Sequence, residues 1–254
     1  MMWNFKEDNT SAVITADKHI ASSRKGGGIS LPETAVLFYM HGGIEYMISN
    51  YDTELISKHF PSFLNSRPIY RIKNSDVCFL HGGWGSPMAV DTLETLAALG
   101  VKKIISIGMF GAFAEGVNSG DILIPGKAFT EEGTSFHYFD KIEYSKPNAQ
   151  LHRKALRHFD NAKAYSIVTT DAPYRQTFYK ENLWREKGAV GVDMETSALF
   201  SVGKYLDVHV VSVLIASDKH PMKENGECWK WTMTQKDRYN FFDKCIHFAL
   251  KSSD

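Results

Sequence analysis

Three carboxylic acids stand where apolar segments of the sequence end. Asp193 and Glu195 flank Met194 in GVDMETSALF (191–200), and Asp218 closes VHVVSVLIASD. An unpaired buried carboxylate is costly, so each acid needs a partner. A sugar would serve, because two vicinal hydroxyls donate to one carboxylate and a methionine offers apolar surface to the sugar face. The alternative is that Glu195 is a first-turn acid that favours the positive end of a helix dipole, and the residues alone leave both interpretations open.

The elements that position these acids alternate in type. Predicted strands lie at AVLFYM, DVCFLH, KKIISIG, GDILIPGKAF, YSIVTT, AVGVDM and VHVVSVLIAS. Predicted helices lie at 44–59, 87–99, 176–187, 196–206 and 235–250. Strands that are apolar on both faces and alternate with helices predict an α/β fold with a largely parallel or mixed sheet.

Five polar segments follow predicted strands. They are LHGGWGSP (80–87), SIGMFGAF (106–113), VTTDAPYR (168–175), VDMET (192–196) and IASDKH (215–220). In open α/β sheets ligands bind at the carboxyl ends of strands. We therefore expect the five segments to share one rim.

Composition narrows the class of protein. The chain has 254 residues, 43% of them hydrophobic, which suits one large domain. Lys plus Arg equals Asp plus Glu at 29 each, which argues against a nucleic-acid or anionic membrane partner. Three scattered cysteines predict reduced thiols and no metal site. With neither a signal sequence nor an apolar span in view, we expect a cytoplasmic protein.

The domain boundary is expected near Ala35. Residues 1–34 are polar and end in SSRKGGGISLPE, so we expect an N-terminal extension that packs on a domain of residues 35–254.

The signature around the paired acids resembles that of the nucleoside phosphorylase and nucleosidase superfamily, in which valine, an acid, methionine, glutamate and small residues run from strand into helix. Four other segments resemble family segments in the same order: GWGSPMAVDTLETLAALGVKKIISIGMFGAF, SGDILIPGKAFTEEGTSFHYF, VTTDAPYR and IASDKH. The resemblance spans about Ala35 to Leu250. It implies a single-domain, three-layer phosphorylase/hydrolase-like fold with a central mixed β-sheet flanked by helices.

The resemblance also implies roles for the acids. Glu195 would bind the ribose 2′ and 3′ hydroxyls, Met194 would pack on the sugar, and Asp193 would flank this site. Asp218 would deliver a proton to purine N7, a type of catalysis worth roughly 10²–10⁴-fold. A carboxylic acid can do this only if burial raises its pKa toward neutrality. The alternative role of Asp218 is a cap at the end of a strand.

The base side of the implied site is less specific. Tyr174 would stack on a planar base, and Arg175 or Gln176 would bind its polar edge; an ordinary surface turn is the alternative. Phe136 and His137 would close the pocket or cross to a neighbouring subunit, whereas a buried structural histidine is the alternative for His137. Arg175 and Gln176 stand near the place where pyrimidine-specific relatives bind uracil, so purine and uridine both stay open.

The acceptor side departs from the family pattern. Family phosphorylases hold phosphate with a glycine-rich turn and arginines, because guanidinium groups match phosphate oxygens. Here the implied site consists of Gly42, Gly43, Glu45, Gly108 and Met109. Gly43 or Ile44 stands where an arginine is expected, Ser106 replaces a second arginine, and Met109 replaces a hydroxyl residue.

Three functional interpretations follow. Arg67, Arg71, Arg175 or a neighbouring subunit could supply the phosphate ligands. Alternatively, water is the nucleophile, with Glu45 or His41 as the general base. The third interpretation is a non-catalytic storage or nucleoside-binding relative, against which the retained acids argue.

The sequence therefore favours a nucleoside phosphorylase. It would cleave a purine nucleoside or uridine with inorganic phosphate and give free base and (deoxy)ribose 1-phosphate. We expect no metal, no organic cofactor and a homo-oligomer based on dimers, up to a hexamer.

Overall fold

The computed structural model describes residues 10–22, 28–226 and 228–253. Its strands are β1 (Thr34–Phe38), β2 (Thr53–Ser57), β3 (Ile69–Ile72), β4 (Val77–His81), β5 (Lys103–Ala112), β6 (Ile122–Leu123), β7 (Lys127–Glu131), β8 (Tyr144–Ser145), β9 (Ser166–Thr170), β10 (Ala189–Asp193) and β11 (His209–Lys219). Its α-helices are α1 (Ala16–Ser22), α2 (Gly43–Asn50), α3 (Gly85–Ala98), α4 (Ala149–His158), α5 (Phe178–Glu186), α6 (Thr196–Tyr205) and α7 (Gln235–Ser253). Two short 3-10 helices cover Thr134–His137 and Pro173–Arg175.

The strands form one mixed sheet. Its path runs β2-β3-β4-β1-β5-β10-β9-β7-β8, and β11 pairs with both β5 and β6. The centre is parallel, since β1 pairs with β4 and β5, and β5 pairs with β11. At its far end β5 also pairs antiparallel with β10, through Gly111 and Ala112. This double pairing brings the carboxyl ends of β5 and β11 beside β10.

Side chains of β1 alternate between two buried layers. Ala35, Leu37 and Tyr39 belong to one apolar cluster together with residues of α3 and α6. Val36 and Phe38 belong to the other cluster, with residues of α2, α4 and α7. Both faces of the sheet are thus covered by helices, as expected for strands that are apolar on both faces. The prediction of a single-domain, three-layer α/β fold is confirmed.

Several element boundaries differ from those predicted. The stretch 44–59, expected as one helix, is α2 followed by strand β2, which pairs with β3 at the sheet edge. GDILIPGKAF, expected as one strand, is divided between β6 and β7 on either side of Pro125. KKIISIG extends to Ala112, because β10 and β11 continue the pairing of β5.

Regular structure begins before Ala35, because α1 lies in the expected N-terminal extension and contacts α3. Residues 1–9 and 23–27 of that extension lie outside the described residues. In the described part of the chain, no helix combines the length and apolar character that crossing a membrane requires.

Candidate active site

A cavity of about 530 Å³ opens at the carboxyl ends of β5, β10 and β11. Each of the five polar segments predicted to share a rim contributes to its lining, through Trp84, Met109, Tyr174, Glu195 and Asp218. Within the described residues, no cluster of three or more His, Cys, Asp or Glu side chains is arranged to hold a metal ion. The cavity is lined by acids, one histidine and aromatic residues.

Asp193 connects the strands and the helix that form the site. Its Oδ1 accepts a 2.7 Å hydrogen bond from Thr169 Oγ1, and its Oδ2 accepts a 3.1 Å bond from the Thr196 amide. Thr169 Oγ1 in turn accepts a 2.8 Å bond from the Ser197 amide. Asp193 therefore ties β9 and β10 to the first turn of α6. Burial raises the pKa of Asp193 to about 6, although these hydrogen bonds oppose the rise.

Glu195 turns away from the helix that it precedes. It is the N-cap residue of α6 but makes no side-chain capping hydrogen bond. Its Oε1 instead accepts a 2.8 Å bond from the Gly85 amide at the start of α3. Burial, and then the charge of Asp193, raise the pKa of Glu195. The alternative interpretation, an acid in the first turn of the helix, does not describe this geometry, because Glu195 precedes α6, accepts from the Gly85 amide and lines the cavity.

Met194 lies between the two acids in the cavity wall. Its carbonyl accepts a 2.8 Å hydrogen bond from Ser86 Oγ, which fixes the backbone at the end of β10. The side chain reaches the start of α3, since a Cβ added to Gly85 would lie 4.0 Å from the Met194 methyl group. Met194 thus offers apolar surface beside the Glu195 carboxylate.

Asp218 is surrounded by hydrogen-bond donors. Trp229 Nε1 donates to its Oδ2 over 2.6 Å, His220 Nε2 lies 3.1 Å from the same oxygen, and Ser217 Oγ donates to Oδ1. Burial raises the pKa of Asp218, but the hydrogen bonds from His220, Ser217 and Trp229 outweigh burial and hold it below its usual value. The expectation that burial raises the pKa of this acid toward neutrality is therefore wrong for the free enzyme.

The proton near the base side resides on His220 instead. Burial lowers the pKa of His220, but hydrogen bonds and charges from Asp218 and Glu181 prevail and raise it to about 9. His220 Nδ1 lies 2.6 Å from Glu181 Oε1, and both residues line the cavity. Neither residue was predicted as functional from the sequence. The signal available was a histidine two positions beyond the acid in SDKH.

The loop at the expected base side forms part of the cavity mouth. Tyr174 and Gln176 line the cavity, although the Tyr174 side chain is 98% exposed. Arg175 is exposed and does not line the cavity. Trp229 and Trp231 also line it, and the sequence analysis singled out neither. The aromatic surface on this side is thus larger than the loop alone predicted.

Phe136 and His137 lie elsewhere. They end the 3-10 helix Thr134–His137, which is held against α6 by a 2.7 Å contact between Ser135 Oγ and Ser201 Oγ. His137 lines a second cavity between α1 and α3. The expectation that Phe136 closes the active-site cavity is not met within one chain, because this anchor holds it on another face.

Most of the expected acceptor residues lie outside the cavity lining. Gly42 and Gly43 begin α2, where Gly42 adopts a left-handed conformation with φ of 86° and Gly43 packs against the Phe38 ring. Glu45 is exposed, and Gly108 is enclosed near Leu214. Only Met109 of this expected set lines the cavity. Glu45 does not line the cavity, although its charge acts on His81, whose ring contacts Trp84 in the cavity wall.

Positive charge does lie close to the cavity wall at Trp84. The Trp84 ring contacts the rings of His41 and His81, at centroid distances of 5.1 and 4.7 Å. Burial, followed by the charges of Arg67 and His41, lowers the pKa of His81 to about 4, and the charge of Glu45 acts in the opposite direction. Arg67 and His41 are therefore within electrostatic range of this wall. Arg71 instead pairs with Glu54 at 2.9 Å on the outer strands.

Tyr39 follows β1 and lines the same cavity. Its side chain is buried, and its hydroxyl has no hydrogen-bond partner among the residues that the structure describes. Burial, followed by the charges of Glu195 and Asp193, raises its pKa. A Cβ at Gly82 would overlap the Tyr39 ring, so the glycine admits the tyrosine at this position. The site thus contains one polar group that the protein itself does not satisfy.

Known proteins resemble this chain over most of its length. The chain matches the model of the phosphorylase superfamily over residues 46–238. It is 28% identical over 197 residues to a DeoD-type purine nucleoside phosphorylase of Buchnera aphidicola, which covers 71% of this chain and 76% of the relative. A DeoD-type purine nucleoside phosphorylase of an Exiguobacterium species is 28% identical over 179 residues, 67% of this chain and 72% of the relative.

An uncharacterized protein of Acanthamoeba polyphaga mimivirus is 27% identical over 202 residues, 74% of this chain and 78% of the relative. Because the family model covers most of the chain, the chain belongs to the phosphorylase superfamily. The resemblance found in the sequence is confirmed. The protein is an enzyme of the nucleoside phosphorylase type, a pentosyltransferase class that uses inorganic phosphate as co-substrate.

Proposed function

We propose that this enzyme cleaves the N-glycosidic bond of a purine nucleoside with phosphate and gives the free purine and (deoxy)ribose 1-phosphate. The observation that carries the proposal is that Glu195 and Asp218 line one cavity. Glu195 binds the 2′ and 3′ hydroxyls, and Met194 packs on the sugar. Asp218, together with His220, faces the base.

The reaction follows from these positions. The bond between C1′ and N9 breaks with its electron pair moving onto the purine, and positive charge develops on the sugar. A proton delivered to N7 neutralises the leaving base, while a phosphate oxygen forms the new bond to C1′. The proton lost by monohydrogen phosphate balances the one taken by the base. Asp193 acts by fixing the end of β10, since both its oxygens accept hydrogen bonds from the protein.

Two observations favour a purine over uridine as the substrate. Asp218 and His220 place a proton donor in the cavity, where a purine presents N7. Of the two residues expected near a bound uracil, Gln176 lines the cavity, but Arg175 is exposed outside its lining. Tyr174 and Gln176 line the cavity. In this proposal Tyr174 stacks on the base and Gln176 binds its polar edge.

Phosphate is the proposed acceptor, with Arg67 supplying the positive charge that the usual arginines provide and His41 lying against the same wall. Both act on His81 electrostatically, and His81 contacts Trp84 in the cavity wall. Glu45 is exposed and does not line the cavity, which argues against the hydrolytic alternative in which that glutamate activates water, although its charge also reaches His81. Burial and the charges of Arg67 and His41 keep His81 itself neutral near pH 7.

The deciding experiment is a panel of purine and pyrimidine nucleosides, assayed with and without inorganic phosphate. Free base and sugar 1-phosphate are both quantified. The proposal expects base release from purine nucleosides only when phosphate is present, with equimolar sugar 1-phosphate. Base release without phosphate would establish hydrolysis instead, and preferential cleavage of uridine would refute the purine assignment.

We also propose that the enzyme is a homo-oligomer built from dimers, up to a hexamer. The support is an exposed apolar surface near the turn that carries Phe136, with Val13 89%, Ile14 66% and Phe63 67% exposed. Light scattering of the purified protein measures the assembly directly, and a monomeric mass at assay concentration would refute it.

A further inference from the structure

A chain of charged side chains leads from the base side of the cavity into α5. His220 Nε2 lies 3.1 Å from Asp218 Oδ2, and His220 Nδ1 lies 2.6 Å from Glu181 Oε1. Both ring nitrogens therefore face a carboxylate. A neutral imidazole carries only one N–H and would turn a lone pair toward one of the two acids. The geometry favours the doubly protonated ring, which donates to both.

The second acid of this chain is itself supported. The side chain of Glu181 is 7% exposed, and its Oε2 lies 3.7 Å from the Arg185 guanidinium one turn further along α5. Arg185 also donates a 2.7 Å hydrogen bond to the Phe113 carbonyl. Acids and cations thus alternate along the series Asp218, His220, Glu181 and Arg185. A buried arrangement of this kind is tolerated because each charge has a partner.

Among the residues that the structure describes, no other charged group competes for the ring. The charged groups that face His220 are Asp218 on β11 and, from α5, Glu181 with Arg185 behind it. The neighbouring Lys219 turns its amine to the carbonyls of Ala114 and Val117 instead.

The backbone of β5 leaves room for the imidazole. Gly111 faces the ring, and a Cβ at this position would overlap His220 Nε2. The glycine is needed for space and not for an unusual backbone angle, since its φ is not positive. The strand thus permits His220 to approach Asp218.

We propose that His220 is the proton store of the reaction, that it passes its Nε2 proton through Asp218 to the leaving base, and that Glu181 positions it and keeps it charged. This inference rests on the proposed function. In the step, the Nε2–H bond breaks, Asp218 Oδ2 takes the proton and releases it to purine N7, and the C1′–N9 electron pair moves onto the base. His220 is left neutral and regains a proton from solvent.

This assignment gives Glu181 a role as a positioning residue, distinct from a catalytic residue that touches the substrate. The raised pKa of His220, about 9, agrees with it, since the ring stays charged across the neutral range. Loss of the Glu181 charge should lower that pKa while leaving the fold intact, because glutamine keeps the size of the side chain and an oxygen that accepts from Nδ1.

The test compares wild type with Glu181→Gln by the pH dependence of kcat/KM for two substrates. One is a purine nucleoside. The other is 4-nitrophenyl β-D-ribofuranoside, whose leaving group needs no proton. For the purine substrate, wild-type activity should fall above about pH 9, and the variant's fall should begin at least about one pH unit lower. For the nitrophenyl riboside, both proteins should react within about twofold of each other.

Two further variants sharpen the test. Glu186→Gln makes the same chemical change at an exposed position of α5 and should leave both pH profiles unchanged. His220→Gln should slow purine cleavage by about 10²-fold or more and leave the nitrophenyl reaction largely intact.

The proton-store role would be overturned if kcat/KM of Glu181→Gln for the purine substrate falls at the same alkaline pH as that of the wild type. It would also be overturned if the variant slows both substrates equally. A wild-type enzyme that cleaves neither substrate would refute the proposed function, and this inference with it. If the enzyme is active but the alkaline fall in kcat/KM is the same in wild type and Glu181→Gln, only this inference is refuted and the proposed function stands.

Discussion

Substitution of Tyr39 by phenylalanine should raise stability and lower activity. The Tyr39 hydroxyl is buried and has no hydrogen-bond partner among the described residues, yet it lines the cavity close to the charge of Glu195. A buried polar group without a partner costs about 1–3 kcal/mol. Phenylalanine removes that cost and keeps the ring, so we expect the free energy of unfolding to rise by about 1 kcal/mol.

The kinetic effect should have the opposite sign. We expect the Tyr39 hydroxyl to hydrogen-bond the sugar that Glu195 binds, and a neutral hydrogen bond contributes about 0.5–1.5 kcal/mol. A loss of about 1 kcal/mol corresponds to roughly a fivefold decrease in kcat/KM for the nucleoside. KM for phosphate should not change, because the hydroxyl is assigned to the sugar.

A matched variant separates this effect from a general loss of hydroxyl contacts. Tyr51 donates a 3.0 Å hydrogen bond to Asp243 and does not line the cavity. Tyr51→Phe should therefore destabilise the protein by about 1 kcal/mol and leave the kinetics unchanged. Urea unfolding and steady-state assays measure both variants. The reasoning fails if Tyr39→Phe is destabilised like Tyr51→Phe, or if its kcat/KM equals that of wild type.

Three other variants test neighbouring parts of the site. Gly111→Ala should displace the His220 ring and reduce purine cleavage at least about tenfold, whereas Gly133→Ala, where a Cβ has ordinary contacts, should be neutral in the same assay. The pKa of His220 is raised from 6.5 to about 9, so its stabilisation is complete below pH 6.5 and lost as the pH rises through 9. Over this pH range the free energy of unfolding of the wild type, measured in urea, should fall by on the order of 3 kcal/mol more than that of His220→Gln. If the two free energies change in parallel with pH, the raised pKa of His220 is contradicted. Arg67→Gln should raise KM for phosphate by about tenfold. Arg71→Gln, which removes the ion pair with Glu54 on the outer strands, should leave this KM unchanged. If the two variants have equal KM values for phosphate, Arg67 is excluded from the acceptor site.

The central strands could be predicted from sequence because burial on both faces leaves an uninterrupted apolar run. β1 and β11 are such runs, and both were placed correctly. β2 was missed because TELIS lies at the sheet edge, is partly exposed and carries a glutamate, so it continues the amphipathic pattern of α2. α1 was missed for a related reason, since none of its residues is buried.

The location of the acids could also be predicted, because strand ends in an α/β sheet converge on one edge. Asp193, Glu195 and Asp218 line one cavity for that reason. The position of Phe136 could not be predicted, since it depends on Ser135 and its contact with Ser201. Sequence order carries no information about such a contact.

Sequence position identifies a carboxylate, but its neighbours determine its charge. Glu195 receives one backbone hydrogen bond from Gly85 and faces the charge of Asp193, so its pKa rises. Asp218 receives donors from three side chains, so its pKa falls despite burial. Two acids that a resemblance places in one pocket therefore differ in protonation. Glu195 needs additional donors, which the hydroxyls of a sugar supply. Asp218 already has donors, and in the proposed step it passes on a proton that His220 provides.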